Sequence, residues 1–176
     1  MTITGESLNS WADQVADLAS EFTTGFEARF GYPPGDNRLV SATPQDSERA
    51  VQTLSGLGVP GDLLQFYSRV ESVSLPDLDN GFFIHSADSV ADGMAGGQPT
   101  EVVGAIDERI VVFGSDGGGG LCALTIPDGR FLVLRGGALV GPRYDVDESG
   151  VQSLPGGLWG FLESIRAELV HATSPN

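Results

Sequence analysis

Part-way along this chain the apolar residues stop recurring every three or four positions and begin to run in short, branched stretches between glycines. Leu8, Trp11, Val15, Leu18 and Phe22 keep helical spacing, with Asp13, Asp17 and Glu21 mostly on the other side, which predicts an amphipathic helix to about Phe26. Residues 31–41 carry two prolines and two glycines and predict a loop. Thr43 then suits an N-cap, with Pro44 in the first helical position and Asp46 where a carboxylate favours the exposed amides. Ala50, Val51, Leu54 and Leu57 form the expected apolar face of that second helix. After Pro60, Leu63, Phe66, Tyr67 and Val70 share one face of a third. Asn80-Gly81 suits a turn before a short strand, Phe82 to Ile84, and a brief helix from Ser86 to about Asp92 follows. The glycine-rich residues 93–100 predict a mobile loop.

Beyond that point Arg109 to Phe113, Leu121 to Ile126 and Arg130 to Leu134 predict an antiparallel meander, punctuated by Gly117-Gly118-Gly119-Gly120 and Pro127-Asp128-Gly129. Further strand is expected around Leu139 to Tyr144. Leu158, Phe161, Leu162, Ile165 and Leu169 form one stripe of a closing helix. Helices, then strands, then a helix imply an α+β fold in a single domain, a mainly antiparallel sheet flanked by helices.

Charge narrows the functions available. The 176 residues hold 24 acidic and 9 basic side chains, a formal charge of −15, and every basic residue is an arginine. Chemistry that needs a lysine, such as Walker-type phosphate binding or Schiff-base catalysis, is excluded. The acidity argues against direct nucleic-acid binding, which draws on basic side chains that displace counterions. Cys122 is the one cysteine, so no internal disulfide forms, and the start MTITGESLNS lacks the basic and apolar regions of a signal peptide. The apolar runs are too short to span a bilayer, and the expected location is cytoplasmic.

Several residue groups invite a chemical reading. Asp116 with the glycine run could cradle an anion, yet no lysine or helix pattern follows, and a hairpin turn fits better. Asp145-Val146-Asp147-Glu148-Ser149-Gly150 opens like a calcium loop, but position twelve is Gly156 rather than a bidentate Glu. Asp77-Leu78-Asp79 is incomplete in the same way. No metal and no cofactor is therefore expected. Among nucleophile and base candidates, Cys122 sits in an apolar strand, His171 in the last turn of a helix, and His85 at a strand end. A structural role is the expectation for all three, and no catalytic residue is assigned.

The order of motifs resembles the SMI1/KNR4 family, or SUKH superfamily, over residues 43 to 170. The parts that carry the resemblance are Val59-Pro60 with Phe66-Tyr67, Asn80-Gly81 before an aromatic strand, the helix start from Ser86 to Val90, Phe113 with Asp116 to Gly120, and Leu158-Trp159-Gly160-Phe161-Leu162. Val59 stands where the family usually has Leu, and Phe82 where a second glycine often follows Asn-Gly. The resemblance implies a domain over 43–171, preceded by a helix-and-loop extension, 1–42, and followed by a tail, 172–176. It also implies an α+β module that commonly serves bacteria as an immunity protein, silencing a toxin that is often a nuclease. Other members are regulatory interaction modules. Neither role needs a catalytic centre.

Three functions are thus carried forward. The preferred one is a non-catalytic inhibitor of a cognate, basic protein toxin, with no direct nucleic-acid or membrane contact. Asp77, Asp79, Asp116, Asp145, Asp147 and Glu148, all in expected turns, are the candidate partner-binding residues, because complementary charge speeds capture. The second is a regulatory or scaffolding module with a non-toxin partner, docking through the helix around Trp11. A small hydrolase using His85 and an acid is the third.

Overall fold

The computed structural model describes residues 3–175. Its first helix, α1 (Gly5–Phe30), starts at a capping box in which Thr4 and Ser7 exchange side-chain and backbone hydrogen bonds. It ends at Gly31, which takes the left-handed conformation at φ 80°. The helix runs one turn past the expected Phe26, because Phe30 and Tyr32 pack against the Phe26 ring. Leu8, Trp11, Val15, Phe22 and Phe26 are buried, and the Trp11 indole donates a 2.8 Å hydrogen bond to the Leu162 carbonyl. That contact ties α1 to the last helix, α5 (Gly157–Thr173).

Within the expected loop lies a strand, β1 (Arg38–Ser41), antiparallel to β2 (Val70–Leu75). Helix α2 (Pro44–Leu54) has the expected Thr43 cap, with Asp46 returning the bond. Its face is rotated from expectation: Ala50 and Leu54 are buried but Val51 is 43% exposed. The third helix, α3 (Gly61–Tyr67), buries Leu63, Phe66 and Tyr67 and stops short of Val70. Ser68 and Arg69 close its last turn tightly through their amides, and Val70 opens β2 instead. Val70 is buried as expected, but its backbone partners come from a strand thirty residues earlier, beyond the reach of a helical pattern.

The short strand β3 (Phe82–Ile84) and helix α4 (Ala87–Asp92), capped by Ser86, stand where the pattern put them. Residues 93–97 form a wide helical turn closed by the Gln98 amide on the Gly93 carbonyl, at 2.9 Å. The meander is present as β5 (Glu108–Ser115), β6 (Leu121–Ile126) and β7 (Phe131–Leu134). Around it are strands the sequence did not announce: β4 (Glu101–Gly104), and β10 (Val151–Leu154) on β7. Where one strand was expected near Leu139, a hairpin forms from β8 (Ala138–Val140) and β9 (Arg143–Val146).

The described residues thus make an α+β domain of five α-helices and one open sheet of ten strands, mixed because β4 and β9 run parallel. Along β5, β6 and β7 alternate residues face two different cores. Val111, Phe113, Cys122, Leu124 and Phe131 join Trp11, Phe66 and the apolar stripe of α5. Ile110, Val112, Ala123, Leu132 and Leu134 pack with Val102, Tyr144 and Val146 across the other face. Burial on both faces explains why these strands read as continuous apolar runs rather than as an alternating pattern. The N-terminal segment, α1 and β1 together, belongs to the same architecture: α1 fills the first core and β1 extends the sheet.

Candidate functional site

Strand register decides which turns meet. Leu75 pairs with Phe82, Phe83 with Ser115, Ser115 with Leu121, Leu121 with Leu134, and Leu134 with Val151. These residues form a row across the sheet, so the segments leaving it, 76–81, 116–120, 135–137 and 147–150, share one rim. Three contacts join them. The Gly117 amide donates to the Asn80 carbonyl at 2.7 Å, Arg135 pairs with Asp116, and the Arg135 amide donates to the Gly150 carbonyl at 2.9 Å.

Five of the six candidate carboxylates therefore lie on this rim: Asp77, Asp79, Asp116, Asp147 and Glu148, with Arg135 among them. Asp145 does not. It lies within β9, between Ala138 of β8 and Val103 of β4, because its hairpin neighbour on one side and a strand some forty residues earlier on the other supply backbone partners that a turn would lack. Its side chain is nevertheless exposed.

The rim carboxylates are not equivalent. Asp77 is a loop staple, accepting hydrogen bonds at 2.7 Å from both the Gly35 amide and the Asn37 side chain. Asp116 organises its own turn, accepting from the amides of Gly118 (2.8 Å) and Gly120 (2.7 Å) while pairing with Arg135. Burial works against its charge, yet the Arg135 hydrogen bond and the two amides outweigh that and hold its carboxyl below the ordinary range. Asp147 caps the turn at Glu148–Gly150, and its bond from the Ser149 hydroxyl (2.5 Å) is the main cause of its lowered pKa. Asp79 and Glu148 are exposed and make no side-chain hydrogen bond among the described residues.

The same geometry accounts for the four glycines. A Cβ on Gly118 would stand 2.6 Å from the Asn80 side-chain nitrogen, and one on Gly120 would stand 2.6 Å from the Asp116 carboxylate. On Gly117 it would press into the Asn80 carbonyl, and Gly119 adopts φ +84°. The close backbone approach that such a run suggests is thus made by the chain's own 76–81 turn. The amides of Gly118 and Gly120 are spent on Asp116, so the run is a hairpin turn rather than an anion cradle.

Of the nucleophile and base candidates, Cys122 is buried, and burial, with Asp116 adding to it, pushes its thiol up to about 12. The His85 ring meets the Ser115 hydroxyl at 3.2 Å, and partial burial lowers its pKa. The His85 backbone is held at both ends, its amide donating to Phe113 and its carbonyl accepting from the buried Tyr67 hydroxyl at 2.6 Å. No carboxylate is hydrogen-bonded to the ring among the described residues. His171 is exposed in the last turn of α5. Trp11, considered as a docking residue, is 1% exposed and serves the core instead. Asp145 and Asp147 do not converge on a common point with a third ligand: among the described residues no cluster of three His, Cys, Asp or Glu side chains is spaced to hold a metal ion. No described helix is long and apolar enough to cross a membrane.

No protein-family model and no curated protein matches this chain. Of the two residues that hold the rim together, Asn80 was read from the sequence only as part of a turn, and Arg135 was not picked out. Asp116-Gly117-Gly118 carries a local Asx-turn signal that could have assigned the Asp116 role, but nothing local shows that Asn80 meets Gly117 or that Arg135 meets Asp116.

Proposed function

We propose that this chain is a non-catalytic protein-binding module, an immunity protein of the SMI1/KNR4 type that binds and neutralises a basic bacterial toxin through the acidic rim. The observation that carries this reading is the gathering of five carboxylates on one rim by the segments that leave the same end of the sheet, with Arg135 paired to one of them, Asp116. Asp77 and Asp116 give the loops their shape, while Asp79 and Glu148 present charge outward. On a protein of net charge −15 such a rim steers a cationic partner into contact and raises the association rate more than the affinity.

The test begins with the neighbouring open reading frame, whose product is expressed with and without this chain. Arrested growth that this chain restores is the expected result. In purified form, association should slow steeply with salt as the Debye length shrinks from ~30 Å at 0.01 M to ~8 Å at 0.15 M, while dissociation changes less. The pair Asp79→Asn and Glu148→Gln should flatten that dependence without unfolding the protein. Toxicity that persists in the presence of the chain overturns the assignment, and an association rate indifferent to salt and to both substitutions overturns the role of the rim.

A further inference from the structure

Beside the Asp116 turn the surface opens into a cavity of about 110 Å³, walled by Phe82, Val133, Leu154 and Phe161. Asp79, Asp116 and Arg135 supply its charged lining, and Ser164 of α5 borders it as well. The volume is well below the ~300–1,000 Å³ of sites that enclose a nucleotide or drug-sized ligand, and it suits a few heavy atoms, the size of one side chain. Its aromatic walls belong to the packed core. Phe161 stacks on Phe131 with ring centroids 4.4 Å apart, and Phe82 lies 6.4 Å from Phe161.

We infer that this cavity is the anchor pocket of the rim and takes one arginine or lysine side chain from the basic protein partner. The inference rests on the rim reading above and names what the rim would grip. A long cationic side chain has an apolar stem and a charged head, and the cavity offers the complement of both. The stem lies along Phe82, Leu154 and Val133, where it leaves water. Around the head, the aromatic faces attract a cation, and the carboxylates of Asp79 and Asp116 outnumber the Arg135 guanidinium. Arg135 is already held by Asp116, so an anionic guest would have to compete with that bond and would meet Asp79 uncompensated. An acidic or purely aliphatic guest therefore fits less well. Burying a single charged anchor in a preformed apolar pocket is how a small patch comes to dominate an interface, with the surrounding rim excluding water.

The experiment uses the whole protein and a small probe, n-butylguanidinium, followed by two-dimensional amide NMR, with n-butyrate as the control of opposite charge. The expected result is a saturable set of shifts centred on Asp79, Gly81, Phe82, Arg135 and Ser164. Its dissociation constant should be on the order of millimolar, as befits so few atoms, and n-butyrate should be at least several-fold weaker. Asp79→Asn should weaken the probe severalfold, and Ser164→Leu, which fills the cavity from an α5 position, should abolish the shifts while the rest of the spectrum stays native. Shifts that do not saturate, that scatter over the acidic surface, that n-butyrate reproduces, or that survive both substitutions overturn the pocket. A salt-dependent partner whose binding ignores Ser164→Leu would sink the pocket and leave the rim standing. Conversely, a probe that binds as expected beside a partner indifferent to salt would sink the rim reading alone.

Discussion

Replacing Trp11 by alanine measures whether α1 is part of the core or a detachable docking element. The side chain is 1% exposed, meets Phe66 edge-on at 6.2 Å between ring centroids, and donates to the Leu162 carbonyl inside α5. An aromatic side chain of this kind buries ~150–250 Å², which at ~25 cal/mol per Å² amounts to about 4–6 kcal/mol as an upper bound. Large-to-small substitutions at buried aromatics cost ~3–5 kcal/mol, in agreement. Trp11→Phe keeps most of the apolar contact and removes the indole donor, so its cost should be smaller, about 1–2 kcal/mol, of which the lost hydrogen bond is ~0.5–1.5. Urea denaturation followed by far-UV circular dichroism reads both variants, since the signal does not depend on the tryptophan removed. For a chain of this length each kcal/mol moves the melting midpoint by ~2–4 °C, so the alanine variant should melt roughly 6–20 °C lower. A loss below about 1 kcal/mol for Trp11→Ala would refute the reasoning and return α1 to the role of an appended docking helix.

Gly117→Ala should cost about 1–3 kcal/mol by forcing the Asn80 carbonyl away, and denaturation within ~0.5 kcal/mol of wild type would show that the turn yields freely. Because the Asp116 carboxyl is held below its ordinary 3.8, the unfolded chain binds the proton first on acidification. Its stabilisation is therefore complete above pH 3.8 and is lost as pH falls through the lower folded value. The stability gap between wild type and Asp116→Asn, followed by denaturation at stepped pH, should close on the acid side of 3.8; a gap constant with pH would contradict this. Cys122, with its thiol pushed up to about 12, should react with a disulfide reagent at pH 8 far more slowly in the native protein than in urea, and equal rates would mean that the site opens readily.

What could be read from consecutive residues alone was considerable where structure is local. The α1 stripe, the Thr43-Pro44-Asp46 start of α2, the Ser86 cap and the bounds of β6 each depend on neighbours within about one helical turn or one strand. The acidity and the turns that carry it were equally visible. Strands β1, β2, β4 and β10 were not, because each mixes polar with apolar residues, lacks the continuous branched run that marks β6, and takes its backbone partners from another part of the chain. The same cause hid the site. Asp77 and Asp79 were legible as acidic turn residues, but that Asp77 holds Gly35 and Asn37, or that Asp116 and Arg135 meet, follows from register between strands far apart in sequence. Periodicity and capping are properties of a segment, carried by its own dihedral preferences and apolar spacing. Which segments share a rim is settled only when the two-faced meander buries its alternate residues in both cores, since a slip of one residue in any pairing would move each strand's side chains into the wrong core and break the row that brings the carboxylates together.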